Sequence, residues 1–162
     1  SSSSGKQDIS VSGTSITLNG NISKTEGGNS SLTLASTGAV TQASTSSISS
    51  SSCSGKQDIS ISGTSVTLNG SVSKTNGGNS TLTVASTGAV TLSSTSNISS
   101  SSASGKQDIS ISGTTIGLNG MISKTDGGDS TLTVTGSGIV TLASTSSISI
   151  PSSLGKPDIS IS

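Results

Sequence analysis

The chain has no aromatic residue and no histidine, a single cysteine among 162 residues, two prolines, and charges on only 9% of its positions, with a net charge of zero. Each absence closes a class of function. Without histidine or aromatics there is no imidazole base or metal ligand and no ring platform for a sugar or a base, and the expectation is no enzyme, no cofactor, no bound metal and no nucleic acid partner. No apolar run reaches eighteen residues, so no helix spans a bilayer, and no charged-then-apolar start marks a signal peptide. Both ends cut across a repeat, so the expectation is a piece of a longer chain. Cys53 aligns with Ser3 and Ala103, which makes it a small, inert position with no partner for an internal disulfide. Cysteine poverty fits a cytosolic chain or one exported unfolded, and leaves the compartment open.

What is present is repetition. Ser1 to Ser50 recur at Ser51 to Ser100 and Ser101 to Ile150, and a partial fourth unit begins at Pro151, so the chain reads as one segment, 1–162, of tandem repeats 1–50, 51–100, 101–150 and 151–162. Between units, Val11 becomes Ile61 and Ile111, Ile16 becomes Val66 and Ile116, and Leu34 becomes Val84 and Val134. Exchange among aliphatics of similar volume is what a packed interior tolerates, whereas Glu26, Asn76 and Asp126 trade charge as water-facing positions do. Serine, threonine and glycine dominate, yet zero net charge and ordered apolar residues argue against disorder. Ile9, Val11, Ile16, Leu18, Ile22, Leu32, Leu34 and Val40 mostly alternate with Ser, Thr and Asn, the period of strands with one buried face.

Each unit also contains a weaker echo. Asp8 to Thr14 resembles Ser31 to Thr37, Ile16 answers to Val40 and Ile22 to Ile48, with an offset drifting from about 23 to about 26 residues. One unit is then two coils, and the expected fold is all-β, a right-handed parallel β-helix. About six coils at roughly 4.8 Å each give a rod on the order of 30 Å long. Its interior is expected to hold Ile9, Val11, Ile16, Leu18, Leu32, Leu34, Val40 and their counterparts. Asn19-Gly20, Asn69-Gly70 and Asn119-Gly120 read as turns that exploit positive φ, and Gly27-Gly28, Gly77-Gly78 and Gly127-Gly128 as a second turn after the charged Lys24-Thr25-Glu26 stretch.

Sites of chemistry are weighed against this frame and none survives. Gly5-Lys6-Gln7-Asp8 opens a strand, whereas a phosphate loop ends in Gly-Lys-Ser/Thr and opens a helix. Lys6 and Asp8, Lys56 and Asp58, and Lys106 and Asp108 stand two apart and share a face, with like charges separated by about 9.6 Å along the rod if units are two coils tall. Asp58 and Asp108 meet the carboxylate spacing of a glycosidase, about 5 to 9.5 Å, but each has a lysine beside it. Thr125-Asp126-Gly127-Gly128-Asp129 has the look of a calcium turn, yet Thr75-Asn76-Gly77-Gly78-Asn79 has lost both carboxylates that a hard dication needs. Catalytic, cofactor-binding and metal-ligating residues are therefore all expected to be absent.

The run Ile16-Thr17-Leu18-Asn19-Gly20-Asn21-Ile22-Ser23-Lys24, then Gly27-Gly28-Asn29-Ser30-Ser31-Leu32-Thr33-Leu34 and Ser36-Thr37-Gly38-Ala39-Val40-Thr41, resembles the repeats of filamentous-haemagglutinin-like and high-molecular-weight adhesins of two-partner secretion. That resemblance implies a β-helical shaft, a structural spacer in a large secreted or surface-displayed bacterial exoprotein. It implies an outer-membrane partner transporter during export, a location at the outer-membrane surface or outside the cell, and a host-cell or neighbouring-cell receptor reached through other parts of the parent chain. It also brings N-glycosylation into view at the sequons of Asn21, Asn29, Asn69, Asn79 and Asn97. No membrane insertion is expected, and open β-helix ends and sides offer end-to-end or lateral self-association. Alternative readings are an ice-binding or carbohydrate-binding solenoid, or an engineered or recently duplicated scaffold. Ice binding wants Thr-x-Thr on successive coils, and Thr17, Thr33 and Thr41 are mostly single threonines beside aliphatics.

Overall fold

The structure, a computed structural model, describes residues 5–25, 28–52, 55–76, 78–102, 105–125, 128–151 and 155–162. Every regular element in it is a strand, and the strands follow one another in threes. The first coil holds β1 (Ile9–Gly13), β2 (Ile16–Leu18) and β3 (Ile22–Thr25), and the second β4 (Ser30–Ser36), β5 (Ala39–Gln42) and β6 (Ser47–Ser51). The third holds β7 (Gln57–Gly63), β8 (Ser65–Leu68) and β9 (Ser71–Asn76), and the fourth β10 (Ser80–Ser86), β11 (Ala89–Leu92) and β12 (Asn97–Ser102). The fifth holds β13 (Gln107–Gly113), β14 (Thr115–Leu118) and β15 (Met121–Thr125), and the sixth β16 (Ser130–Gly136), β17 (Val140–Leu142) and β18 (Ser147–Ser149). A last strand, β19 (Pro157–Ile161), begins another rung.

Equivalent strands of successive coils pair in parallel. They build a seven-stranded sheet from β1 to β19 and two six-stranded sheets, one from β2 to β17 and one from β3 to β18, which enclose a common core. This is a parallel β-solenoid with two coils per fifty-residue unit, as the repeat and its internal echo require. Ile9 lies on Leu32, Ile16 on Val40 and Ile22 on Ile48, the three correspondences read from the echo. The unequal offsets have a physical origin in corner length. The step from the first coil to the second is 23 residues at Asp8 and 26 at Asn21.

Because register is kept, like side chains stack in columns. Ile9, Leu32, Ile59, Leu82, Ile109, Leu132 and Ile159 form one, and Ile16, Val40, Val66, Val90, Ile116 and Val140 another. From the second coil to the fifth these aliphatics are wholly excluded from solvent. In the outer coils the columns have a neighbour on one side only, so Ile9, Val11 and Leu18 are half-buried and Ile159 and Ile161 are exposed. Each buried aliphatic contributes roughly 1.5–3 kcal/mol, and stability accrues by repetition.

The corners correct one expectation. No glycine among the described residues has a positive φ, so Asn-Gly does not serve as a left-handed turn. At Gly70 and Gly120, though not at Gly20 of the end coil, glycine is required by crowding. A Cβ on Gly70 would run into the carbonyls of Ser46 and Ala43, and one on Gly120 into Ser96 and Ser93 of the coil beneath. The other corner stacks glycine on glycine, since a Cβ on Gly55, Gly105 or Gly155 would strike the backbone of Gly28, Gly78 or Gly128. Gly117 is different. It stands with open space around it in an outward column otherwise made of Thr17, Thr41, Thr67, Thr91 and Thr141. Gly117→Thr is therefore expected to stabilise the rod by about 0.5–1 kcal/mol, and Gly105→Ala to destabilise it by about 1–3 kcal/mol. Chemical denaturation followed by circular dichroism separates the two, and a neutral Gly105→Ala would contradict the crowded corner.

Candidate functional site

The polar groups fall into an outer ladder and an inner corner, both built where β1, β4 and their successors begin. On the outside, Lys6, Lys56 and Lys106 just precede their strands and pair with Asp8, Asp58 and Asp108 at 3.1, 2.9 and 3.1 Å. The shared face read from the spacing is observed. Each aspartate also turns its Oδ1 to the next coil, accepting the backbone N–H and the hydroxyl of Ser31 (2.8 and 3.0 Å), Thr81 (2.9 and 3.1 Å) and Thr131 (2.8 and 2.9 Å). The Ser31 N–H, then Lys6, holds the Asp8 carboxyl below the usual range. At Asp58 and Asp108 partial burial works upward, and the Thr81 or Thr131 donors with the neighbouring lysine outweigh it, so both also lie low. A carboxylate so saturated stays ionised and offers no proton. Asp58 and Asp108 are, moreover, separated by a coil whose Thr81 lies between them.

The turn asparagines continue this pattern. Asn29, Asn79 and Asp129 each accept, on Oδ1, the backbone N–H of Lys56, Lys106 and Lys156 at 2.8 Å, and Asn21 accepts that of Ser47 at 2.9 Å. These side chains bridge coils, as stacked turn residues. Among the sequon asparagines, Asn21, Asn29, Asn79 and Asn97 are exposed and Asn69 is half-buried. Cys53, Glu26, Asp126 and the turn glycines Gly27, Gly77 and Gly127 lie outside the described residues, as does the Asn76 side chain, so of the two carboxylates of the calcium-like turn Asp129 alone is described. Among the described residues no three of His, Cys, Asp and Glu converge as a metal cluster.

The inner corner was missed by the sequence reading, which saw Lys24 only as part of a charged stretch ahead of a glycine turn. Lys24 lies within β3, and it, Lys74 and Lys124 are buried, at 2%, 1% and 0% exposure. They form one inward column with serines between them: Lys24, Ser50, Lys74, Ser100, Lys124. Beside it Gln57 and Gln107 are fully buried, next to Ser30, Ser80 and Ser130 of the adjoining coils. Ser50 donates to Gln57 Oε1 at 2.8 Å, and Gln57 Nε2 donates to the Gly28 carbonyl at 2.7 Å; Ser100, Gln107 and Gly78 repeat this at 2.9 and 2.8 Å. The signal was available in the alternation. Lys24 stands two residues after the inward Ile22, so strand parity turns it inward too.

A second buried amide, Gln42, interrupts a column of leucines and donates to the carbonyls of Ser46 (3.2 Å) and Ser71 (2.9 Å). The surface carries two shallow grooves. One, of about 180 Å³, lies over Lys6, Asp8, Asn29, Ser31, Lys56 and Asp58, and one, of about 490 Å³, runs across the small residues Thr37, Ser62, Thr64 and Ser86. Comparison with protein-family models, with characterised proteins and with solved structures yields no match to this chain.

Lys74 carries the strongest electrostatic consequence. Its ammonium has no hydrogen-bond partner among the described residues. Burial, only partly opposed by Asp58 and Asp108, lowers its pKa from 10.5 to about 7. The unfolded chain keeps this proton up to about pH 10.5 and the folded chain only to about 7, so Lys74 makes stability rise with pH between those values and has no effect on the slope below them. Lys74→Met is expected to flatten that window and to stabilise the rod at neutral pH by a few kcal/mol, on the order of 1–4. Denaturation midpoints from pH 6 to 10 test this, and parallel profiles for the two proteins would exclude it.

Proposed function

We propose that the segment is a structural shaft, a β-solenoid spacer that belongs to a large secreted or surface-displayed bacterial exoprotein and presents binding regions carried elsewhere on the parent chain. The observation that carries this reading is the unbroken register: all three sheets run through every coil, so tension or bending along the axis is borne by three parallel ladders at once. The surface supports it. Outward columns are short hydroxyl side chains such as Ser10, Thr33, Ser60, Thr83 and Ser110, and Lys6, Lys56 and Lys106 are neutralised locally by their aspartates. The same surface recurs every fifty residues, as a spacer requires and a single dedicated site does not.

The resemblance to two-partner-secretion adhesin repeats supports export through an outer-membrane transporter and display at the cell surface. It also supports contact with a host or neighbouring cell through distal regions. A second reading has one observation in its favour. The column of Thr17, Thr41, Thr67, Thr91 and Thr141, interrupted at Gly117, forms a hydroxyl row on a six-stranded face, the kind of surface that matches a repeating lattice of water or sugar. Its neighbouring outward column mixes Ala39, Ser65, Ala89 and Thr115, so no second threonine row accompanies it.

Removal of residues 51–100 from the parent protein is expected to leave a folded, secreted and protease-resistant rod shortened by about 9.6 Å, with ligand binding intact. Removal of about 25 residues is expected to be tolerated less well, and removal of ten, which turns apolar side chains outward, least of all. Equal behaviour of the three deletions would overturn the solenoid spacer. Loss of binding, or of ice-recrystallisation inhibition, on removing one clean unit would assign recognition to this segment itself.

A further inference from the structure

We propose that the buried corner is a register key: a coil with glutamine and lysine inside accepts above and below it only coils that place neither glutamine nor lysine there. The proposal concerns how the rod assembles and stands apart from what the rod carries. Its starting point is that the apolar columns cannot tell one coil from the next. Ile9, Leu32 and Ile59 succeed one another, as do Ile16, Val40 and Val66, and Ile22, Ile48 and Val72, all aliphatics of similar size. A slip by one coil would leave every one of these contacts in place. Register is weakly specified under such conditions unless something else enforces it.

The corner supplies the distinction. The first, third and fifth coils carry Gln7 and Lys24, Gln57 and Lys74, Gln107 and Lys124, with Gln7 of the end coil only half-buried; the second and fourth carry Ser30 and Ser50, Ser80 and Ser100, and the sixth carries Ser130 with the uncharged Ile150 in register with Lys124. Short serines make room for the long side chains stacked on them, and they also complete the hydrogen bonding. The backbone N–H groups of Gln7, Gln57 and Gln107 donate to Ser30, Ser80 and Ser130 Oγ at 2.8 Å, while Ser50 and Ser100 donate to Gln57 and Gln107 Oε1. A one-coil slip would set lysine on lysine. Two amines would then stand about 4.8 Å apart in a closed interior instead of about 9.6 Å, with two glutamines competing for the space of one. Elsewhere it would set serine on serine and leave a void. Slips by two coils keep the key satisfied, so strand exchange between copies of this chain, or growth of the array by duplication, proceeds in whole fifty-residue units.

The test is to measure one substitution in two backgrounds. Ser50→Lys in the otherwise unchanged chain fills the column between Lys24 and Lys74, and is expected to lower the thermal midpoint by roughly 10 °C or prevent folding. In a chain already carrying Lys24→Ser and Lys74→Ser the same change restores a long residue between two short ones. There the expected shift is less than roughly 3 °C, or a gain. Ser50→Met, long but uncharged, is measured in both backgrounds, so that volume and charge are told apart, and keeps the comparison open if Ser50→Lys alone does not fold. A cost that is the same in both backgrounds for both substitutions, including failure to fold in both, would overturn the key.

Discussion

Parallel in-register stacking is the constraint on which the rest of this molecule depends. When each coil lies one strand spacing above the last, every side chain sits on its counterpart and must tolerate a near copy of itself at about 4.8 Å. Aliphatics do this without penalty, so Ile, Leu and Val fill the inward columns. Like charges do not, and a residue of different charge stands between them: Ser31 and Thr81 follow Asp8 and Asp58 outside, and Ser50 and Ser100 separate the lysines inside. The fifty-residue period is thus the shortest repeat that stacks coils while keeping a whole coil between like charges.

The same stacking decides how polar backbone at the corners is satisfied. Strand N–H and C=O groups pair between coils, but the bends would leave donors unpaired. Short side chains supply the acceptors, as Asn29, Asn79 and Asp129 do for Lys56, Lys106 and Lys156. Glycine supplies proximity, letting Gly55 and Gly105 pack on the backbone of Gly28 and Gly78. Buried amides close what remains, with Gln57 and Gln107 holding those glycine carbonyls from within. Composition follows from this arrangement, since close-packed bends want Ser, Gly and Asn.

The proposed spacer role draws on the way this rod is made. Ladders run along its sheets, hydroxyls and paired charges cover it, and each added unit extends it. The buried Lys74 works against stability, burial having lowered its pKa to about 7. Retaining a buried lysine at the same inward position in all three units is what an element of specificity looks like, and buried polar residues are best attested in setting register.

The sequence by itself determined the period, the strand parity and the pairing of coils. Ile9 over Leu32 and Ile22 over Ile48 were legible because an apolar side chain in alternation has one favourable direction and the echo supplies its partner. The ion pairs of Lys6 with Asp8 and its counterparts were legible for the same reason. The positive φ expected at the Asn-Gly turns was wrong and the inward lysine at Lys24 was missed, because residue type was taken as a guide to exposure and conformation where parity and crowding rule. Only the tertiary structure decided that Gly70 is needed for a close approach without positive φ, since that depends on the carbonyls of Ser46 and Ala43 one coil away. Only it decided that lysine, glutamine and serine meet in one buried corner, because Ser50 and Gln57 belong to different coils and come within 2.8 Å only when the chain has closed a turn around the core.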